Sequence, residues 1–130
     1  MEFEIEFTEG AGPADVEIAL LGEATLEEFR RFNEILAADP RFRAGLAMLV
    51  DVSALDTSAL SEQSLAGMSE PIVERDWHHP PAAVAIIAAG ERTVGAARTY
   101  RAHLGGSRSN REIFETRGQA LAWLEQQNRP

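Results

Sequence analysis

The sequence predicts an α/β domain on a mainly parallel five-stranded sheet, entered through an N-terminal antiparallel hairpin, with helices packed on the sheet. Three observations predict it. The first twenty residues hold two short stretches in which apolar and charged residues alternate. Two later runs, around residues 46–50 and 84–88, are apolar on both faces. From residue 25 onward, strand-like and helix-like segments alternate, which gives parallel strands joined by right-handed crossovers.

Each element has its own reason. Phe3, Ile5 and Phe7 alternate with Glu2, Glu4 and Glu6, so one face of this strand is solvated. Thr8 to Ala14 contains Gly10, Gly12 and Pro13 and reads as a turn. Val16, Ile18 and Leu20 repeat the alternation as the second hairpin strand. Its charged face blunts the sheet edge. Thr25-Leu26-Glu27-Glu28 forms a capping box ahead of a helix with Leu26, Phe29, Phe32 and Leu36 inward. Asp39-Pro40 stops that helix.

Gly45 to Val52 is a strand apolar enough to be buried on both faces. A loop over 53–58 leads to a helix over about 59–76, with Leu65, Met68, Ile72 and Val73 as its stripe. Pro71 predicts a kink or break there, by clashing with the Gly67 carbonyl. Trp77-His78-His79-Pro80-Pro81 reads as a connector, and Ala82 to Ala89 as another buried strand ending at Gly90. A helix from about Arg92 to Leu104 follows, with Val94, Ala97 and Leu104 inward, broken by Gly105-Gly106-Ser107. Arg111 to Glu115 makes a short edge strand. Thr116-Arg117-Gly118-Gln119 caps a last helix carrying Ala120, Leu121, Trp123 and Leu124.

At 130 residues the chain fits one domain, spanning 1–130, with 45% hydrophobic residues. It contains no Cys, and all 12 basic residues are Arg. Disulfides, Cys-ligated metals, a Cys nucleophile, a Schiff-base lysine and a Walker A lysine are therefore excluded. The net charge of −9 is unevenly spread. Residues 1–40 carry a net −9, residues 41–90 a net −3 and residues 91–130 a net +3. An acidic front argues against nucleic-acid binding, which needs clustered cations. No apolar run approaches a membrane span of roughly 20 residues. The acidic, alternating start is unlike a signal peptide, so a cytoplasmic location is expected.

The order and several motifs resemble the SpoIIAA-like family, whose fold is shared by STAS domains and related to CRAL-TRIO lipid-binding domains. The resemblance is carried by Gly22 to Glu28, Asp39-Pro40-Arg41-Phe42, Met48 to Ser53, Val84-Ala85-Ile86-Ile87, Val94 to Tyr100, Ile113 to Thr116 and Gln119 to Leu124. It covers nearly the whole chain, and is nearer to the family's uncharacterised bacterial branch than to its sporulation antagonists. It implies strands laid down in nearly sequential order as a β-α superhelix, with the hairpin at one edge and the 111–115 strand at the other. It also implies a non-enzymatic module acting through a protein partner such as a kinase or an anti-sigma-like factor. The alternative is a carrier or sensor of a lipid or a small amphiphilic or anionic ligand. A carrier calls for an apolar pocket of roughly 300 Å³ or more.

Asp56-Thr57-Ser58-Ala59-Leu60 resembles the family's phosphorylated Asp-Ser-Ser-Gly-Leu motif, with Ser58 as nearest match and Ala59 in place of the Gly. A phosphate there would meet a helix N-terminus. The plainer alternative is that Thr57 or Ser58 caps the helix. Arg92, Arg98, Tyr100 and Arg101 form a second group, beyond the carboxyl end of a strand where ligands bind in open parallel sheets. Against that, helical Arg residues commonly extend into solvent.

His78, His79 and His103 do not offer the spacing of a metal site, and no cofactor motif is present. A triad can be assembled on paper from Ser53 or Ser58, His78 or His79, and Asp51 or Asp56, but no nucleophile elbow supports it. Finally, sequential crossovers of one hand put the helices on one face of the sheet. The second face then needs a cover: part of the last helix, a loop, a lipid or a second subunit. A homodimer is the expected cover.

Overall fold

The glutamate-flanked strands pair as the alternation requires. In the computed structural model, which describes residues 1–105 and 110–127, β1 (Glu2–Phe7) lies antiparallel to β2 (Val16–Glu23). Phe3 sits opposite Leu20 and Ile5 opposite Ile18, so the apolar side chains share one face and the glutamates the other. The chain continues through α1 (Leu26–Ala38), β3 (Ala47–Asp51), β4 (Leu55–Asp56), α2 (Glu62–His78), β5 (Ala83–Ile87), α3 (Glu91–Ala102), β6 (Arg111–Phe114) and α4 (Arg117–Gln127). The sheet order is β1-β2-β3-β5-β6, with every pairing after the hairpin parallel.

The sixth strand, β4, falls in the stretch that the sequence reads as a loop. It pairs with β2 beyond the point where β3 leaves it: Ala19 faces Asp51, and Gly22 faces Leu55. Three residues of β2 thus correspond to four on the opposing chain. β4 resumes the course of β3 with one residue added, the geometry of a bulge, which bends the strand that carries it.

Helices α1, α2 and α3 pack on one face. Phe29, Phe32 and Leu36 of α1 and Leu65, Met68 and Ile72 of α2 meet Val16, Ile18, Leu20, Met48, Val84 and Ile86 of the sheet. Gly67 admits the close approach of α1 to α2, since a Cβ there would lie 3.1 Å from Leu26 Cδ2. The other face is covered from within the chain. Ala120 and Leu124 of α4 pack on Ala47, Leu49, Ala83, Ala85 and Ile87. This face needs no second subunit as its cover, because the last helix seals its apolar half and glutamates solvate the hairpin half.

Three local expectations change. α2 runs unbroken through Pro71 to His78, so Trp77 and His78 belong to the helix rather than to a connector. Its N-cap is Ser61, whose hydroxyl accepts from the Ser64 N–H at 3.1 Å; neither Thr57 nor Ser58 caps it. The break expected at Gly105-Gly106-Ser107 lies partly outside the described residues. The threonines that open the two capping boxes do cap. Thr25 accepts from the Glu28 N–H, and Thr116 from the Gln119 N–H, each at 3.2 Å.

Candidate functional site

A cavity of about 90 Å³ lies between the α1–α3 layer and the sheet. Its wall is mostly apolar: Phe29 and Phe32 from α1, Leu65, Met68 and Ile72 from α2, and Met48, Val84 and Ile86 from the sheet are among its lining residues. The strands and helices fix its orientation. Val52, Leu60 and Thr93, all half-buried, lie beyond the carboxyl ends of β3 and β5 and near the first turns of α2 and α3. That is where ligands enter open parallel sheets. Arg75, late in α2, and Arg111, first in β6, lie at the opposite, buried end.

The buried end is charged. Arg111 Nη1 donates to Asp76 Oδ2 at 2.7 Å, and both side chains are enclosed. Arg75 Nη1 donates to Asn33 Oδ1 at 2.7 Å, and its guanidinium carbon lies 5.3 Å from the centre of the Phe42 ring. The Arg75 Nε is 3.9 Å from Asp76 Oδ1, beyond hydrogen-bond reach, and has no hydrogen-bond partner among the described residues. Burial lowers the Arg75 pKa from its ordinary value. Tyr100 stands with this group, its ring 6.0 Å from Phe29 and edge-on to it. Burial raises its phenol pKa, while the nearby Arg111 and Arg75 charges pull it down. The second buried atom without a hydrogen-bond partner on this cavity wall is Thr57 Oγ1, toward the open end.

The residues singled out from sequence scatter around this cavity. Thr57 and Tyr100 line it. Ser58 is exposed outside the mouth, where its N–H donates to Asp56 Oδ1 at 2.9 Å. Hydrogen bonds from Ser58, aided by the Arg92 charge, lower the Asp56 pKa. Arg92 is exposed near that loop. Arg98 and Arg101 face β6 instead, where Arg101 Nη1 meets Glu112 Oε2 at 3.2 Å on the surface. The four residues Arg92, Arg98, Tyr100 and Arg101 therefore do not converge, because α3 turns Tyr100 inward and both later arginines outward.

The paper triad is also dispersed. Ser53 and Ser58 lie at the carboxyl ends of the strands, whereas His78 and His79 close the far end of α2. A helix of 17 residues is about 25 Å long, so these groups cannot share a proton. His79 instead packs edge-on against Phe42 at 5.8 Å.

Arg75, Asp76 and Arg111 escaped the sequence reading, yet a signal was present. Leu65, Met68 and Ile72 continue at helical spacing to 75 and 76. Charged residues on an inward stripe mark a buried polar cluster.

No family model matches the chain, and no curated protein matches it. A solved structure does: an uncharacterized protein of the DUF3478 family with a SpoIIAA-like fold, from Shewanella loihica PV-4. The two share 22% identity with a TM-score of 0.61, over 95% of this chain and 92% of that one. The fold is SpoIIAA-like. At this identity the likeness speaks to fold alone.

Proposed function

We propose that this domain is a binding module without chemistry of its own, taking a small, mostly apolar ligand into the cavity between the sheet and helices α1–α3. One observation carries this reading. An apolar cavity opening beyond the carboxyl ends of parallel strands is lined by two residues, Arg75 and Thr57, that each carry a buried polar atom, Nε and Oγ1, with no hydrogen-bond partner among the described residues. Buried polar groups are normally satisfied, so those that are not call for an occupant.

The volume limits the ligand. About 90 Å³ falls short of the roughly 300 Å³ expected of a lipid carrier. A small molecule, or the end of a longer one reaching out through the mouth, fits better. Met48 and Met68 both line the cavity, so their methyl groups report on it. Titration with small apolar acids, amides and alcohols, followed by methionine-methyl NMR, should give saturable shifts at both. A panel that leaves both methyls unmoved at millimolar concentration would overturn the reading.

A second reading has its own support. Ser58 is exposed beside the cavity mouth and leaves the capping of α2 to Ser61. A hydroxyl so placed is open to a kinase, and phosphorylation there would alter a surface for a protein partner, as in a STAS-like regulatory module. Intact-mass analysis of protein from its native cell tests it, and an unmodified chain under every growth condition would count against it.

A further inference from the structure

The charged floor of the cavity says more about the occupant. Building on the binding function proposed above, we infer that the ligand is a small monocarboxylate with an apolar body, bound head-first with its carboxylate on Arg75 and Tyr100.

Arg75 lies in the floor of the cavity. It is 8% exposed, and its one side-chain hydrogen bond goes to a neutral amide, Asn33 Oδ1. The nearest carboxylate oxygen to its Nε stands 3.9 Å away, and that carboxylate is engaged by Arg111 through Oδ2. A buried guanidinium without a hydrogen-bonded anion is costly. An incoming carboxylate supplies the missing acceptor, and the guanidinium offers it directed N–H donors. Tyr100 lines the same cavity, and its hydroxyl makes no hydrogen bond among the described residues. Protonated at neutral pH, with burial raising its pKa further from the ordinary 10.0, it is a second donor for the carboxylate. Arg111 adds a further positive charge to the lining.

Size and wall decide the rest. Above the charged floor the lining passes through Met68 and Ile86 to Leu65 and Leu60, all apolar. A head bearing one charge and two oxygens matches one guanidinium edge and one hydroxyl. The body then lies along Met68 and Leu65, with its far end near the Thr57 hydroxyl.

The test compares hexanoate with hexanamide, a neutral molecule of nearly the same shape, by calorimetry and by the Met48 and Met68 methyl signals. Hexanoate should bind at least about tenfold more tightly, since charge-assisted hydrogen bonds are the stronger kind. Tyr100→Phe keeps the ring on Phe29 and should weaken hexanoate several-fold. Arg75→Gln should make acid and amide bind alike; if it fails to fold, Tyr100→Phe still tests the head-group contact. Equal binding of acid and amide to the unaltered protein would overturn the carboxylate inference and leave the binding function standing. Failure of both to move either methyl would overturn the two together.

Discussion

Arg111 Nη1 donates to Asp76 Oδ2 at 2.7 Å, tying the first residue of the edge strand β6 to the buried face of α2. Asp76 also lies 3.9 Å from the Arg75 Nε, so one carboxylate serves two enclosed guanidinium groups. Removing it leaves both charges without their nearest anion. Asp76→Ala should therefore destabilise the fold by about 3–5 kcal/mol, as measured by urea denaturation. That is a large share of the roughly 5–15 kcal/mol typical of a whole domain. A loss below about 1 kcal/mol would show that the cluster is solvated in solution.

The start of α2 offers a contrast between two serines three residues apart. Ser61 caps the helix through the Ser64 N–H, while the Ser58 hydroxyl is exposed and takes no part in the cap. Ser61→Ala should cost about 0.5–2 kcal/mol. Ser58→Ala should stay within about 0.5 kcal/mol of the parent protein. The reverse order in thermal unfolding would move the cap to residue 58.

Leu124 anchors α4 and is fully buried on the sheet face opposite the cavity. Leu124→Ala should cost about 2–5 kcal/mol. It should leave the Met48 and Met68 methyl signals nearly unchanged in the folded protein, because the sheet lies between the two sites. Large shifts in those signals would show the two faces to be coupled.

Asp39 answers to acid in a defined direction. Hydrogen bonds from the Arg41 side chain and N–H hold its pKa at about 2, below the ordinary 3.8. A carboxylate whose pKa falls on folding contributes stability above its unfolded pKa, and loses it as pH drops through the folded value. The contribution of this surface pair is thus complete above about pH 5 and lost progressively down to about pH 1. Carboxyl-carbon NMR should place the Asp39 midpoint near 2. Arg41→Ala should bring the midpoint back toward 3.8. A midpoint that ignores Arg41→Ala would rule out the pairing.

Much of the architecture was legible where a pattern is local. Alternation gave β1 and β2 with the right faces, and uninterrupted apolar runs gave β3 and β5. Sequential strand order is what the resemblance to the SpoIIAA-like family implies, and the sheet has it. What was not legible depends on relations across the chain. β4 has two residues and exists only because a bulge lets the chain return beside β2. The first turn of α2 is ambiguous in sequence because Thr57 and Ser58 resemble caps as closely as Ser61 does. Its last turn was cut short because Pro80 ends the helix, and Trp77 and His78 continue it. The face chosen by α4 carries no sequence mark of its own.

The candidate site was half legible. The sequence singles out Tyr100 and Thr57, but it groups Tyr100 with Arg98 and Arg101, which share its helix and face β6 instead. Arg75 and Asp76 could have been found as charges at inward positions of α2. Their partner Arg111 could not, because a single Arg opening an edge strand is ordinary and only the pairing of β6 with β5 brings it beneath α2.

The order in which the strands lie has a consequence for synthesis. Each of the parallel strands is added beside one already made, so the sheet can grow in the direction in which the ribosome delivers the chain. α4 comes after the last strand, and until it docks, Leu49, Ala85 and Ile87 face water. A nascent chain halted before Leu124 would hold a formed sheet with one greasy side bare, a state open to chaperones and to sticking. Completion of the fold is thus a late event, timed by the arrival of one helix.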